Sequence, residues 1–518
     1  MAKPLIAASI AAPAFYGLNT QASGLSLPEG FALHADNCII DKQGRLSARK
    51  GWAYDTLSVD TVVDDNVGIN LLGMGDFQEI TGDTTRMSWT ADKFYKGTVD
   101  LTTLTPTTTD TIADGNWQMA ILNDHAFFFQ RDYLPLIYTN DGGADTFETL
   151  AGHTGYTTGS QTANTVLSAY GRLWTADTTA NKTTVWFTDV LDGTDWSTGT
   201  AGSIDISSVL TQGADEIVAL GAHNGYLIIF CKNNIIIYGD GNNFQASMTT
   251  TSLTLVEVIE GVGCISRDSK QNTGEDILFL SNTGVRSLNR TVQEKSQPMR
   301  NISKNIRDDI MEAIEVEVLS EVKSVYSPHN SFYLLTFPAT RQTFVFDTRQ
   351  ALEDGSFRVT VWPSVTPKAY LASGLNLYYA QPNGIGKYVG YQDNGLQYQM
   401  SYYSSFFDLG LPNANKIVKK LTATTVGATG QAFSLKIGYE YSPIFFSFPF
   451  TLESGLIYEY GVAEYDLSEY AGSVLINEQQ SSGSGAGNIL QVGFTAEING
   501  AGLSLQKLSI FAKQGKVL

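Results

Sequence analysis

Short apolar runs separated by polar turns recur along most of the chain. HAFFFQ from His125, YLIIFCK from Tyr226 and NIIIYGD from Asn234 are rich in aromatic and β-branched residues. Such runs favour β-strands. The separators, among them HNG at His223 and SNTG at Ser281, contain residues that form tight turns between antiparallel strands. The pattern therefore predicts an all-β chain.

A longer repeat overlies these strands. Pairs of strands around a polar turn recur roughly every 45–55 residues between Ala120 and Thr348, a spacing typical of propeller blades of about four strands. The repeats carry neither a WD nor a kelch signature. We predict a β-propeller, with a pair of β-sandwiches as the alternative.

One segment has the period of a helix. In NISKNIRDDIMEAIEVEV, an apolar stripe is formed by Ile302, Ile306, Ile310 and Ile314. This spacing predicts a helix with one face packed against the sheets. After about residue 366 the alternating strands become longer, as in LQYQMSYYSSFFDLG, and the Gly/Ser-rich loop NEQQSSGSGAGN interrupts them. This part of the chain predicts a β-sandwich or platform.

The predicted fold is therefore all-β, a β-propeller plus a β-sandwich-like platform domain, with one or two short helices. We assign residues 1–57 to an N-terminal hairpin segment that joins the platform. Residues 58–365 are assigned to the propeller, and residues 366–518 to the C-terminal β platform.

The N-terminal stretch FALHADNCIIDKQGRLSARKGW contains acids, bases, one histidine and one cysteine. Alternation predicts that one face of its first strand holds Ala32, His34, Asp36 and Cys38. DKQG is then a turn, and one face of the returning strand holds Arg45, Ser47 and Arg49. A metal site here lacks a fourth ligand. We interpret the stretch as a hairpin in which Arg45, Arg49 and Lys50 pair with acidic neighbours or adjoining subunits.

Composition narrows the classes of function. The 518 residues are 43% hydrophobic and 16% charged, with a formal net charge of −19 and a pI of about 4.7. So acidic a chain is a poor general binder of nucleic acid, although an acidic surface can line a passage that DNA crosses without sticking. The three cysteines lie far apart, which favours a reducing site of synthesis.

Membrane and secretion signals are weak. No apolar run approaches the ~20 residues that span a bilayer. The start, MAKPLIAASIAAPAF, resembles a signal peptide, but Pro4, Ser9 and Pro13 interrupt its apolar stretch. We expect no cleaved signal peptide and no stable membrane insertion.

Catalytic and metal-binding signatures are absent from the sequence. It contains no GxxxxGK[ST], HExxH or GxSxG motif. Five histidines make a His-rich metal site an unfavoured reading, and we interpret three of them as turn residues: His125, His223 and His329. DVLDGTDW could supply a calcium loop through Asp189, Asp192 and Asp195, but its spacing favours a turn held by Asx hydrogen bonds. We expect no cofactor, no metal and no enzymatic activity.

Two stretches are candidates for contacts. PIFFSFPF contains Phe445, Phe446, Phe448 and Phe450 and no charge. Its alternation suits a core strand; the alternative is an exposed apolar loop that meets a partner, a neighbouring subunit or a membrane. A further hypothesis is that the stretch forms part of a tip or gate. NKIVKKL contains Lys416, Lys419 and Lys420, which suit either a solvated strand end or a subunit contact.

Five pieces of the chain, in order, resemble the tail nozzle proteins of short-tailed bacteriophages, also called tail hub, tail tubular B or packaged-DNA stabilisation proteins. The first is LNTQASGLSLPEGFALHADNCIIDKQGRLSARKGW, and the second is WFTDVLDGTDWSTGTAGSIDIS. The third joins LGAHNGYLIIFCKNNIIIYGDG to GCISRDSKQNTGEDILFLSNTGVRSLNR. The fourth is KSQPMRNISKNIRDDI, and the fifth joins FFDLGLPNANKIVKKL to the terminal FTAEINGAGLSLQKLSIFAKQGKV.

The resemblance implies a homohexameric ring at the distal end of a phage tail, with propellers outside and a β platform closing the ring. It implies that the ring retains the packaged genome and lets DNA pass through its lumen at ejection. Tail adaptor or portal-side proteins and tail fibres or spikes are the implied partners. The implied location is the virion tail, after assembly in the host cytoplasm. The alternatives are a secreted propeller that binds or hydrolyses carbohydrate, and a soluble scaffold for cellular partners.

Overall fold

The structure is a computed structural model that describes residues 5–59, 62–63, 68–108, 111–141, 144–210, 213, 215–240, 252–288, 302–452 and 475–517. Strands dominate these residues, and they form a six-bladed β-propeller arrangement beside a two-sheet platform. The predicted all-β fold class is confirmed. Strands are numbered β1 to β42 in chain order.

The first four blades follow one another along the chain, each an antiparallel meander. Blade 1 is β9 to β12 (Gly73–Gln78, Thr84–Trp89, Phe94–Lys96, Asp100–Leu104), and blade 2 is β13 to β16 (Gln118–Leu122, His125–Phe129, Leu136–Asp141, Ala144–Thr149). Blade 3 is β17 to β20 (Thr165–Ala169, Arg172–Ala176, Thr184–Phe187, Gly202–Asp205), and blade 4 is β21 to β24 (Ile217–His223, Tyr226–Cys231, Asn234–Asp240, Leu253–Glu260). Two short strands, β7 (Ser58–Val59) and β8 (Val62–Val63), extend the outer edge of blade 1.

The other two blades come after a smaller sheet. That three-stranded sheet is β25 to β27 (Gln271–Asn272, Ile277–Ser281, Gly284–Ser287). Blade 5 is β28 to β31 (Lys323–Ser327, Phe332–Phe337, Gln342–Asp347, Arg358–Trp362), and blade 6 is β32 to β34 (Tyr370–Ser373, Asn376–Gln381, Gly384–Tyr388) with β6 (Trp52–Tyr54). The first strands of the six blades and of the β25–β27 sheet follow one another at intervals of 45–55 residues, as the sequence predicts.

The predicted domain boundaries are wrong at blade 6. Its three later strands lie beyond residue 365, in the part assigned to the platform, and its outer strand β6 comes from the N-terminal segment. Strand β6 pairs antiparallel with β34, Trp52 opposite Tyr388. The boundary was misplaced because a blade completed by a distant strand has no complete four-strand pattern in local sequence. This pairing closes the propeller with the beginning of the chain.

Two sheets form the platform. One contains β1 (Leu5–Ala11), β4 (Cys38–Ile40), β5 (Leu46–Ala48), β36 (Ala414–Gly427), β39 (Leu475–Ser482), β40 (Ala486–Gly487) and β42 (Leu503–Val517). The other extends blade 5 through β2 (Gly17–Leu18), β3 (Phe31–Asp36), β35 (Tyr398–Ser404), β37 (Ala432–Tyr439), β38 (Phe445–Thr451) and β41 (Leu490–Ile498). Strand β3 is the link, because it pairs with β31 of the propeller on one side and β35 of the platform on the other.

The predicted helix is confirmed as α1 (Arg307–Val316), preceded by a 3-10 turn at Lys304–Ile306. Ile302, Ile306 and Ile310 are buried in the large core that the platform shares with blade 5 and the β25–β27 sheet, and Ile314 packs against it. Burial of such a side chain stabilises the fold by about 1.5–3 kcal/mol. None of the helices within the described ranges combines the length and apolar character that crossing a bilayer requires.

Candidate functional site

The N-terminal hairpin exists, but it is shorter than predicted. Strands β4 and β5 pair with Cys38 opposite Ala48. Asn37 has a left-handed φ of 53°, a conformation that asparagine tolerates better than most residues. The chain therefore changes sheet at Asn37, and Cys38 does not share a face with His34. The predicted common face is wrong at that position.

Asp41 holds the turn of this hairpin. Its carboxylate accepts hydrogen bonds from the backbone N–H groups of Gln43 and Arg45, at 2.8 and 2.9 Å. It also accepts 2.8 and 3.1 Å hydrogen bonds from Arg45 Nε and Ser47 Oγ. Arg45 thus has the acidic neighbour that the sequence predicted. Because its side chain is buried by this turn, the prediction that Arg45 contacts another subunit is wrong.

Arg49 joins the hairpin to both domains. Its guanidinium makes two parallel hydrogen bonds with the carboxylate of Asp393, at 2.8 and 2.5 Å. Its remaining N–H groups donate to Asn37 Oδ1, Ser364 Oγ and the carbonyl of Lys50, at 2.9, 2.8 and 2.8 Å. All five guanidinium donors therefore have partners, which is the condition for keeping an arginine inside a protein.

Aromatic rings complete the surroundings of Arg49. The guanidinium carbon lies 4.0 Å from the ring centre of Tyr398 in the platform and 5.8 Å from that of Trp362 in blade 5. Burial lowers the pKa of Arg49, but the hydrogen bonds and charge of Asp393 outweigh burial and raise the pKa above its ordinary value. With only 1% of its surface exposed, Arg49 cannot reach another subunit, so that prediction is also wrong.

The three predicted lysines have different surroundings. Lys416 is buried, and its ammonium donates to the carbonyls of Leu411 and Asn488 at 2.5 and 2.6 Å. It is therefore an internal anchor, which corrects its assignment as a subunit contact. Lys419 is exposed, and Lys420 Nζ lies 5.5 Å from the ring centre of Phe511. For Lys419 and Lys420, a subunit contact stays a prediction.

The predicted aromatic strand is β38, which ends one side of the ten-stranded sheet. Three phenylalanines lie opposite the core-facing residues of β37: Phe446, Phe448 and Phe450. Phe448 and Phe450 pack partly against the core, but Phe446 is 45% exposed. Phe445 is on the other face, 5.0 Å from the ring centre of Tyr403. The strand is thus both core and surface, and its role as a tip or gate stays a prediction.

The acidic loop after β19 is confirmed as a set of Asx turns. Asp195 accepts hydrogen bonds from the backbone N–H groups of Ser197 and Thr198, at 3.1 and 2.9 Å, and Asp192 accepts one from Thr194 at 2.8 Å. Burial raises the pKa of Asp195, but hydrogen bonds from the hydroxyl and N–H of Thr198, the Thr157 hydroxyl and the Ser197 N–H outweigh it and lower the pKa to about 2. In the part of the chain that the structure describes, no group of three or more His, Cys, Asp or Glu side chains is placed to hold a metal ion.

The remaining candidate groups have structural roles. His125 Nδ1 lies 2.7 Å from the carbonyl of Asn123 in the turn before β14, as the turn interpretation requires. The three cysteines, Cys38, Cys231 and Cys264, are free thiols buried in the core. Burial raises the pKa of each, to about 11 for Cys264, so the reactive thiolate is disfavoured.

A cavity of about 600 Å³ on the propeller axis was missed by the sequence reasoning. The first strands of several blades line it, together with a 3-10 turn at Arg267–Ser269. Three of its charged lining residues come from the pentapeptide SRDSK: Arg267, Asp268 and Lys270. The dense charge of SRDSK directly before an inner strand was a sequence signal for such a site. However, the turn at Arg267–Ser269 reaches the propeller axis only because the blades are arranged in a ring.

Arg267 spans the axis at the end where the inner strands begin. Its guanidinium donates to the carbonyls of Asn116 and Asn164, which precede β13 and β17, at 3.0 and 2.7 Å. It also pairs with Asp268 at 2.7 and 3.0 Å, and Asp268 in turn pairs with Lys323 of blade 5. Burial raises the pKa of Asp268, but the charges of Arg267 and Lys323 outweigh it and lower the pKa. This network ties blades 2, 3 and 5 together across the axis.

Comparisons with known proteins do not identify a family for this chain. Neither family models nor curated proteins match the sequence. Among solved structures, the chain is similar to PorZ, a bacterial surface component of the type-IX secretion system of Porphyromonas gingivalis, at 10% identity and a TM-score of 0.36; the match covers 62% of this chain and 37% of PorZ. It is also similar to Kluyveromyces lactis Hsv2, at 11% identity and a TM-score of 0.32, over 64% of this chain and 92% of Hsv2. This chain therefore spans little more than a third of PorZ.

Proposed function

We propose that the chain is a structural virion protein that forms the distal nozzle of a short phage tail. Several copies would form a ring, with a hexamer expected from the sequence resemblance. The ring would retain the packaged genome, let DNA pass at ejection and offer a docking surface for fibres or spikes. Its other contacts would be with adaptor or portal-side proteins of the tail, after assembly in the host cytoplasm.

The observation that carries the proposal is the continuous sheet from blade 5 through β3 into the platform. The resemblance implies an outer propeller attached to a ring-forming platform, and this sheet joins two such parts. The Arg49–Asp393 pair lies at the same junction. Since shared strands and a buried ion pair resist relative movement, the propeller and platform are suited to act as one stiff wall segment.

The charge of the chain and the propeller axis bear on the route of DNA. Arg267 and its partners cross the axis of the single propeller, so a duplex would have to pass between copies of the chain. At −19 per copy, a lumen lined by this protein would repel phosphate rather than hold it. An exit channel needs that property, because bound DNA would leave slowly.

Surface residues next to β38 suit a contact between copies. Tyr441, Ile444 and Phe446 are 56%, 75% and 45% exposed and lie close together in sequence. Apolar residues grouped in this way are often covered by a partner. An uncharged contact also avoids the repulsion that strongly acidic subunits would otherwise experience when they assemble.

The test is the assembly state of the purified full-length chain. Sedimentation velocity and electron microscopy are expected to give a closed ring with a central opening wide enough for duplex DNA. Addition of duplex DNA at physiological salt should produce no stable complex. A protein that stays monomeric at every concentration and salt tested would contradict the proposal.

A further inference from the structure

The axial cavity of the propeller has the properties of a binding site that the nozzle proposal does not use. Its volume of about 600 Å³ lies in the range of small-molecule sites, about 300–1,000 Å³. At one end the Arg267 network crosses the axis, so the cavity is a cup for a small molecule rather than a passage for a polymer. Polar side chains, including Ser168 and Gln271, line it together with aromatic ones.

Charge in the cavity is positive, although the chain as a whole is strongly acidic. The lining contains three cations, Arg267, Lys270 and Lys323, and two carboxylates, Asp76 and Asp268. Asp268 forms ion pairs with Arg267 and Lys323. Asp76 is occupied by Arg86, through hydrogen bonds of 2.7 and 3.1 Å. Both acids are therefore neutralised by neighbours other than Lys270.

Lys270 is the cation that remains without a carboxylate. Its Nζ donates to the carbonyl of Leu220 at 2.7 Å, and among the described residues no carboxylate forms an ion pair with it. An ammonium group has three donors, so this side chain can make further hydrogen bonds into the cavity. Burial lowers the pKa of Lys270 in spite of the charge on Asp268, as is expected where an ammonium group lacks a close counter-ion.

The Trp117 ring also lines the cavity. The indole N–H of Trp117 is buried and has no protein hydrogen-bond partner. Buried donors without partners are uncommon in folded proteins, because each loses its hydrogen bond to water. Trp117 and Lys270 directly precede the first strands of two different sheets, β13 and β25, so they lie at different positions around the cavity wall. Acceptor-rich ligands suit such a lining.

We propose that the axial cavity binds a small molecule carrying a carboxylate or phosphate group, with the anionic group on the ammonium of Lys270. Charge-assisted hydrogen bonds of this kind are the strong ones in protein recognition. The wide part of the cavity would receive the rest of the molecule, which at this volume is of about monosaccharide size. The site does not depend on ring formation.

Isothermal titration calorimetry on the full-length protein tests the proposal with three probes: glucuronate, inorganic phosphate and neutral glucose. Glucuronate or phosphate is expected to bind and glucose to bind much more weakly. Binding of glucuronate alone would indicate an organic carboxylate, and binding of phosphate alone would indicate a phosphate group. If neither anion binds at millimolar concentration, the proposal is overturned.

The matched variants are Lys270→Met and Lys232→Met. Both remove one ammonium group, but Lys232 is exposed in the turn between β22 and β23, away from the cavity. We expect Lys270→Met to weaken anion binding about tenfold or more, from the loss of one charge-assisted hydrogen bond, and Lys232→Met to leave it unchanged. Equal affinities of Lys270→Met and the unmodified protein would overturn the proposal.

A measurement on the unmodified chain avoids any folding defect of the variant. Lysine acetylation followed by peptide mass spectrometry, with and without the bound anion, reports the accessibility of each ammonium group. The anion should protect Lys270 and leave Lys232 unprotected. Equal labelling of Lys270 in both conditions would show that the anion lies elsewhere.

Discussion

At the scale of single residues, Arg49 and Arg267 use the same solution to the cost of burying charge. Each guanidinium donates to a carboxylate, to amide oxygens and to backbone carbonyls, and several of these partners come from distant parts of the chain. An unpaired charge in the interior is expensive, whereas a fully hydrogen-bonded one is tolerated and fixes the geometry of its partners. Arg49 thereby fixes the junction of the two domains, and Arg267 fixes the centre of the propeller.

Removal of the charge at the domain junction should destabilise the protein strongly. Arg49→Met leaves the Asp393 carboxylate without its partner, and we expect the free energy of unfolding to fall by about 3–5 kcal/mol. Urea denaturation followed by tryptophan fluorescence would measure the change. Arg307→Met is the control. Arg307 and Asp308 form an ion pair of 3.5 Å, but both side chains are exposed, so the pair should contribute no more than about 1 kcal/mol. Similar losses in both variants would contradict the role of Arg49.

The Asp268 network predicts a specific dependence on pH. Because the pKa of Asp268 is lowered from its ordinary 3.8 in the folded protein, its contribution to stability is present above that value and is lost as the pH falls below it. Asp268→Asn should therefore be less stable than the unmodified protein at pH 7, and the difference should shrink between pH 4 and about pH 2. Thermal melts across this range test it, with exposed Asp308→Asn as the control. A difference that is constant with pH would refute the assignment.

At the scale of elements, the chain uses its beginning to complete two distant structures. Strand β1 pairs along its whole length with β42, near the end of the chain, and β6 completes blade 6. Both pairings join residues several hundred positions apart. Because closing so long a loop costs more entropy than closing a short one, we expect them to form after the local hairpins. Once formed, they hold both domains together. The segment Leu5–Ala11, whose composition resembled part of a signal peptide, is thus a strand of the platform.

Closure of blade 6 can be tested at Gly51, the residue before β6. A Cβ atom at this position would lie 1.9 Å from the carbonyl oxygen of Gln392, which is backbone and cannot rotate away. Gly51→Ala should lower the free energy of unfolding by about 1–3 kcal/mol, the usual cost of overpacking. Gly152→Ala is the matched control, since its Cβ would meet only side-chain oxygens, that of Thr149 at 3.2 Å and that of Glu148 at 3.7 Å. Equal melting temperatures for both variants would show that the chain around Gly51 can shift without destabilising blade 6.

At the scale of the whole molecule, acidity and architecture act together. A net charge of −19 keeps copies apart in solution unless an uncharged surface brings them together. The exposed aromatic and aliphatic residues at β38 are uncharged and would serve as such a surface under the proposed function. Under the proposed function, assembly into a ring would concentrate negative charge around the lumen, where it would repel DNA phosphate.

The contact surface can be tested by a substitution at Phe446, which is 45% exposed and whose ring otherwise packs against Tyr439. Phe446→Ser removes a half-exposed ring, and we expect it to shift the protein from rings to monomers in sedimentation velocity while the thermal melt stays nearly unchanged. Leu375→Ser is the control, because Leu375 is 71% exposed in a turn of blade 6 far along the chain from β38. If Phe446→Ser still forms rings, β38 does not contribute to the contact between copies, and other surfaces must hold the ring together.

Local pattern was enough to predict what depends on neighbours in sequence. The alternation of apolar residues determined the strands, the isoleucine stripe determined α1, and the Asx-forming aspartates determined the loop after β19, because side chains a few positions apart decide each of these. Tertiary structure alone decided which strands complete a sheet across several hundred residues. It also decided that Arg45, Arg49 and Lys416 are buried, and that SRDSK meets Lys323 on the propeller axis. Burial and pairing of a charge depend on what the folded chain brings to it from a distance, and a linear pattern does not contain that information.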